Sequence, residues 1–102
     1  MLVEVALYKI IPGKEAQALA ILDGQAALKR RLEGCRDARV LSASRSVASP
    51  STDPELILAL AEFDGASSYA SYRELVAAEE KKAGAPLLAG LTAAPPVIAV
   101  FE

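Results

Sequence analysis

The pattern of apolar and polar positions along residues 2–10 predicts a first strand. Its two faces differ in character: Val3, Val5 and Leu7 lie on one, and Glu4, Ala6 and Tyr8 lie on the other. Pro12-Gly13 ends this strand, because proline and glycine favour turns. The chain is therefore predicted to begin with a strand that places a carboxylate and a phenol on the same face.

A change of period from two to about 3.6 predicts a helix from Lys14 to about Leu32. The residues that recur at this spacing are Ala18, Ile21, Leu22, Gln25, Leu28 and Leu32. The run 29–31, Lys-Arg-Arg, falls in the last turn, where cations complement the helix dipole. We interpret the run as a solvated helix end and Gly34 as the C-cap.

Two further strands are predicted before the second helix. One extends roughly from Ala38 to Val47, and residues 48–54 form a loop rich in serine and proline. The other extends from Glu55 to Phe63 and is apolar at both parities over 56–61. A strand that is apolar on both faces is typical of one that is buried on both faces.

The remaining chain predicts a helix and a final strand. Asp64 is expected to cap a helix that continues to about Lys82. A short turn is expected over 86–91, and Pro95-Pro96 precede a strand from Val97 to Phe101.

The predicted order is β-α-β-β-α-β, the ferredoxin-like α+β plait, and the whole chain 1–102 is expected to form one domain. Two helices cover one face of a four-stranded antiparallel sheet. A second copy of the chain is the simplest cover for the other face. The pattern therefore predicts a homodimer.

Composition excludes several classes of protein. The net charge of −2 offers no electrostatic basis for binding nucleic acid. The longest apolar run, 56–61, is far shorter than a membrane span, and the N-terminus does not resemble a signal peptide. A single cysteine without any histidine predicts neither a disulfide nor a metal site, so we expect a cytoplasmic protein.

The sequence resembles the dimeric α+β barrel superfamily, and most closely its antibiotic-biosynthesis-monooxygenase branch. The resemblance covers the whole chain and depends on four features: Pro12-Gly13-Lys14, Glu33-Gly34-Cys35, Glu62-Phe63-Asp64 and Tyr69. It implies a homodimer with a ligand cavity between the sheet and its helices or within the barrel. The branch includes cofactor-independent oxygenases of phenolic or quinol compounds, haem-degrading enzymes and members without known activity.

Two departures from the family pattern limit the possible chemistry. Phe63 stands where many members have tryptophan, and residues 79–82 read Glu-Glu-Lys-Lys where many members have a histidine. The haem-degrading members depend on Asn, His and Trp, and this chain contains none of them. We therefore expect no haem, metal or other cofactor.

Glu4 and Tyr8 are candidate functional residues on the central first strand. Glu4 is either a general base or polar anchor, or a carboxylate without such a role. In the second case it is paired with Arg or Lys from a neighbouring strand or lies at the wet rim of the dimer, and this case is favoured because buried charges are usually paired. Tyr8 either donates a hydrogen bond to a ligand or adds its ring to the dimer interface.

The second helix and the third strand provide the other candidates. Tyr69 and Tyr72 lie three residues apart, so one packs on the sheet and the other reaches the cavity mouth. Ala59 and Ala61 are small enough to leave room for a ligand, and if their face lines the cavity, Glu62 points to the helix side. If Leu56, Leu58 and Leu60 line it instead, Glu62 points into the cavity; the small alanines favour the first arrangement. Arg45 and Cys35 are interpreted as an edge-strand residue and a small buried residue.

Two hypotheses remain open for function. One is a homodimer that binds a small, mostly apolar or aromatic molecule without catalysis. The other is a cofactor-independent monooxygenase of a phenolic, quinol or polyketide-like aromatic substrate, with Glu4, Tyr8 or Tyr69 positioning the substrate.

Overall fold

The structure is a computed structural model that describes residues 1–43 and 55–102. Its elements follow the order β1 (Leu2–Ile10), α1 (Glu15–Arg31), β2 (Cys35–Ser42), β3 (Glu55–Phe63), α2 (Ala66–Ala83) and β4 (Val97–Phe101). The predicted βαββαβ plait is thus confirmed. β3 and β4 have the predicted bounds. The predicted end of the second strand at Val47, the loop 48–54 and Arg45 lie outside the described residues.

The four strands form one antiparallel sheet in the order β2-β3-β1-β4. Glu4 of β1 lies opposite Ala61 of β3 on one side and opposite Val100 of β4 on the other. The first strand is therefore central, and Glu4 lies in the middle of the sheet.

Three predicted boundaries differ from the structure. β2 begins at Cys35, three residues before Ala38. Asp64 does not cap α2: the N-cap is Gly65, without a side-chain cap bond, and the Asp64 carboxylate instead accepts a hydrogen bond from Arg36 Nε at 2.6 Å. The C-cap of α1 is Leu32 rather than Gly34.

Gly34 has a structural role that only glycine meets. Its φ of +87° lies in the left-handed region, and its carbonyl accepts a hydrogen bond from the Asp64 backbone N–H at 2.7 Å. A Cβ atom placed there would lie 2.5 Å from Ser68 Cβ. The turn into β2 therefore packs directly on the first turns of α2.

Both helices lie on the sheet face that carries Glu4, and the core forms there as two clusters. The first centres on Phe63 and includes Leu2, Ala26, Ala38, Ala61, Tyr72 and Val76. The second comprises Ile10, Ala18, Leu22, Ile57 and Leu88. The candidate site lies in the gap between these two clusters.

The opposite sheet face is apolar and less well covered. Val5, Leu58 and Leu60 are half-buried there, whereas Val97 and Phe101 of β4 are 62% and 59% exposed. Within 1–43 and 55–102, the two helices pack only on the other face. The predicted burial of β3 on both faces is therefore met on the helix side, while its other face is open within the described residues.

Candidate functional site

A cavity of about 610 Å³ lies between the sheet, the two helices and the segment 86–96. Its walls are largely apolar and draw on both core clusters, through Leu22, Ala26, Val40, Val76 and Leu88, and on Ala59 of β3. Ala26 on α1 and Ala59 on β3 have short side chains that leave this space open. Larger residues at those two positions would join the two clusters into one continuous core.

A buried charged network forms part of the cavity wall. Glu4 is only 3% exposed, and its Oε2 atom accepts a hydrogen bond from the Tyr69 hydroxyl at 2.6 Å. Its other oxygen, Oε1, lies 3.5 Å from Lys29 Nζ. Each carboxylate oxygen of Glu4 therefore has a partner, one from each helix.

Lys29 is buried although it carries a charge. It is 5% exposed, and its Nζ atom lies 4.9 Å from the centroid of the Tyr72 ring. An ammonium over an aromatic face is attracted by the ring quadrupole. Lys29 thus lies between the Glu4 carboxylate and the face of the Tyr72 ring.

Burial shifts the acid–base behaviour of this network. It lowers the pKa of Lys29, an effect that the neighbouring Glu4 carboxylate opposes. Burial and the hydrogen bond to Glu4 raise the pKa of Tyr69 to about 12. The pKa values of Tyr8 and Tyr72 are also raised, first by burial and then by the Glu4 charge. The three phenols are therefore hydrogen-bond donors at neutral pH, not bases.

The structure brings together most of the residues that the sequence indicated. Glu4, Tyr8, Ala59 and Tyr72 all line the cavity. Tyr69 contributes its hydroxyl to Glu4, and Ala61 packs in the first core cluster, so these two residues support the wall rather than form its surface.

Two expectations about charged residues were wrong. Glu62 lies opposite Val3 in the sheet register, so it points to the open face and not to the helix side. The partner of Glu4 comes from a helix rather than from a neighbouring strand. Strand alternation places Glu62 on the side away from Ala61 and Phe63.

Lys29 was the main residue that sequence reasoning missed. Its place in the basic run with Arg30 and Arg31 predicts a solvated helix end, but only those two arginines are exposed. The helical period contained the signal, because Lys29 follows Leu22 by seven residues and Ala26 by three, which places it on the buried stripe.

Gln25 is the second residue that the sequence reading left without a function. It lines the cavity one helical turn before Lys29. Its Oε1 atom is buried and has no hydrogen-bond partner within the described part of the chain. A buried acceptor without a donor is costly, so a ligand that supplies an O–H or N–H group would satisfy it.

Neither a metal cluster nor a membrane span is found in the part of the chain that the structure describes. No group of three or more His, Cys, Asp or Glu side chains within 1–43 and 55–102 is arranged to hold a metal ion. No helix in the same ranges is long and apolar enough to cross a membrane.

Comparison with protein-family models found no match, and comparison with curated proteins found none either. Solved structures do match. A candidate antibiotic biosynthesis monooxygenase from Nitrosomonas europaea is 13% identical with a TM-score of 0.74, over 100% of this chain and 97% of the other. One from Deinococcus radiodurans is 17% identical with a TM-score of 0.74, over 100% and 91%.

A conserved protein from Methanosarcina mazei is 18% identical with a TM-score of 0.76, over 99% of this chain and 90% of the other. The matches extend over nearly the full length of both chains, while the identities are too low to carry over an activity. The chain therefore has the ferredoxin-like α+β fold of these proteins, and the resemblance to the antibiotic-biosynthesis-monooxygenase group is confirmed at the level of the fold.

Proposed function

We propose that the protein binds a small, mostly apolar or aromatic molecule in the cavity between its sheet and its helices. The observation that carries this proposal is the cavity itself. Its volume of about 610 Å³ falls within the range of roughly 300–1,000 Å³ that is typical of ligand sites. An apolar cavity of this size lowers stability, so its presence in a small domain favours a ligand.

The polar groups of the wall define what such a ligand carries. The Gln25 Oε1 atom offers an acceptor to a ligand, and the Tyr8 hydroxyl, protonated at neutral pH, offers a donor. The small number of polar groups in an apolar cavity serves to orient a ligand, and does not supply most of its affinity. A flat molecule with one or two oxygen substituents fits this combination.

A cofactor-independent monooxygenase is the second candidate, and it is favoured by the position of Glu4 in the cavity wall. In that reaction the substrate supplies the electrons, and the protein binds it, accepts a proton and excludes water. Both carboxylate oxygens of Glu4 are already engaged, by Lys29 and by Tyr69, so neither is directed at a proton of a bound substrate. The geometry therefore supports binding better than catalysis.

We also propose that a second copy of the chain covers the open sheet face. That face presents a row of apolar residues from three strands: Val3, Val5, Leu7, Leu58, Leu60 and Val97. Face-to-face packing of two such sheets would bury this row.

Native mass spectrometry of freshly purified protein tests both parts of the proposal. We expect a dimer, and we expect some of it to carry a small-molecule adduct. A Val5→Glu variant should become monomeric, whereas Ala20→Glu on the exposed face of α1 should stay dimeric. A wild-type monomer would refute the proposed dimer.

Filling the cavity tests the ligand site directly. Ala59→Leu places additional carbon atoms in the cavity and should abolish binding of 2-naphthol, followed by calorimetry. Ala20→Leu makes the same chemical change on an exposed helix position and should leave binding unchanged. Equal affinities for the two variants would contradict the assignment of the site. If the wild-type protein oxidises 2-naphthol, and Glu4→Gln binds it without oxidising it, the monooxygenase is favoured.

A further inference from the structure

We propose that Lys29 is a reactive amine that forms an imine with an apolar aldehyde or ketone bound in the cavity. This inference rests on the proposed function, because the carbonyl compound must enter the same space as the ligand. It assigns covalent chemistry to a residue that would otherwise only neutralise Glu4.

The position of Lys29 separates it from the other lysines of the chain. It lines the cavity, and its side chain is 7% exposed. The other lysines are exposed and occur at positions 9, 14, 81 and 82. Among these five residues, all of them in the described ranges, only Lys29 contacts an apolar space that is large enough for an organic ligand.

The ammonium group of Lys29 is held loosely for a buried charge. Its distance of 3.5 Å to Glu4 Oε1 lies at the outer limit of hydrogen bonding, whereas the Tyr69 hydroxyl lies 2.6 Å from Oε2. Charge-assisted hydrogen bonds from an ammonium are normally about 2.7–2.9 Å long. The stronger bond of Glu4 is therefore made to Tyr69, and Lys29 is held by the carboxylate only at the outer limit of hydrogen bonding.

Burial has the largest effect on the pKa of Lys29, and it favours the neutral, nucleophilic form of the amine. Burial lowers its pKa and the positive charge of Arg73 adds to that effect, while Glu4 and the more distant Cys35 oppose it. The net direction is downward. A lysine that is desolvated in an apolar pocket is a common form of activated amine nucleophile.

The reaction balances without an oxidant, a reductant or a further reactant. Glu4 accepts one proton from the ammonium, and the neutral Nζ atom attacks the carbonyl carbon, so a C–N bond forms and the C=O π bond breaks. A second nitrogen proton and the proton from Glu4 pass to the carbonyl oxygen, which leaves as water. The product is a protonated imine, whose positive charge stays beside the Glu4 carboxylate.

The test uses 2-naphthaldehyde with sodium cyanoborohydride at neutral pH, followed by peptide mass spectrometry. The hydride reduces the imine to a stable secondary amine, so the labelling rate of each lysine can be measured separately. We expect Lys29 to be labelled several-fold faster than the exposed lysines, because burial lowers its pKa and the cavity holds the aldehyde beside its Nζ atom. Labelling of Lys29 that is no faster than that of the exposed lysines would overturn the proposal.

Lys29→Arg keeps the positive charge beside Glu4 but cannot form an imine. It should lose only the fast-labelled site and leave the rates at Lys9 and Lys14 unchanged. The comparison among lysines within the wild-type protein gives a result even if this variant does not fold. Faster labelling by glyoxylate than by 2-naphthaldehyde at Lys29 would contradict the apolar ligand class.

A matched alcohol separates this inference from the proposed function. 2-Naphthalenemethanol has nearly the same shape as the aldehyde and no carbonyl group, so it reports on the cavity alone. If it binds and Lys29 is labelled slowly, the reactive lysine is refuted and the binding site is retained. If neither compound binds, the proposed site fails together with the inference.

Discussion

Removal of one partner from the buried Glu4–Lys29 pair should destabilise the fold more than removal of both. Lys29→Met keeps the length of the side chain and leaves the Glu4 carboxylate without its cation. Glu4→Gln keeps a hydrogen-bond acceptor for Tyr69 and leaves the Lys29 ammonium without its carboxylate. In the double variant neither charge remains, and the Tyr69 hydroxyl still has an amide oxygen within reach.

The expected magnitude follows from the burial of both groups, at 3% and 5% exposure. Stranding one member of a buried pair costs about 3–5 kcal/mol. A stranded group can also lose its charge, and this limits the cost of stranding it to about 1.4 kcal/mol for each unit between its reference pKa and the working pH. At neutral pH the limit is about 4 kcal/mol for the carboxyl and about 5 kcal/mol for the amine. We therefore expect the double variant to recover about 2–4 kcal/mol relative to the sum of the single variants.

Urea unfolding of the four proteins at one protein concentration and neutral pH measures this coupling energy. A fixed concentration is needed because assembly contributes to the apparent stability. Adding high salt should change the coupling little, since a buried pair is poorly screened. Additivity of the two single substitutions within about 0.5 kcal/mol would show that the pair does not act as a unit, and would refute this reasoning.

Three further outcomes are expected. Gly34→Ala should be more destabilising in urea unfolding than Gly13→Ala, because both have positive φ but only Gly34 would contact Ser68; equal losses would argue against the contact. The pKa of Tyr69 is raised from 10.0 to about 12 in the folded protein, so its contribution to stability is complete below pH 10 and decreases as pH rises toward 12. Tyrosinate absorbance should therefore appear at higher pH in the native protein than in urea. Tyr69→Phe should remove one of the groups that titrate at high pH. Burial raises the pKa of the Cys35 thiol, so iodoacetamide should alkylate it more slowly in the native protein than in urea, and equal rates would contradict this.

The fold could be predicted from the sequence because its signals are local and repeated. Strand β1 ends just before Pro12-Gly13, and β4 begins just after Pro95-Pro96, so breaker residues mark these two bounds. The N-terminus of α2 was harder, because Asp64 is a good capping residue that is bound instead by Arg36, 28 positions earlier in the chain. A hydrogen-bond partner that only the tertiary structure brings close leaves no local signal in the sequence.

The site was predicted only in part for a related reason. Periodicity places Glu4 and Tyr8 on one face of β1, and the structure places both on the cavity. The burial of Lys29 depends on two facts at once: its helical phase and a carboxylate on a strand 25 positions earlier. A run of three basic residues at a helix end is usually solvated, so the local pattern favoured the wrong environment.

The network around Glu4 is better explained by function than by stability. Buried ion pairs often stabilise a protein less than apolar residues of similar volume, and an unfilled cavity also costs free energy. Here both features occur together, with Glu4, Lys29 and Gln25 on the wall of one apolar space. Leucine or methionine at these positions would form a simpler core on the same backbone. A small domain that keeps two costly features in contact with each other has the arrangement expected when the cavity holds a ligand and the charges act on it.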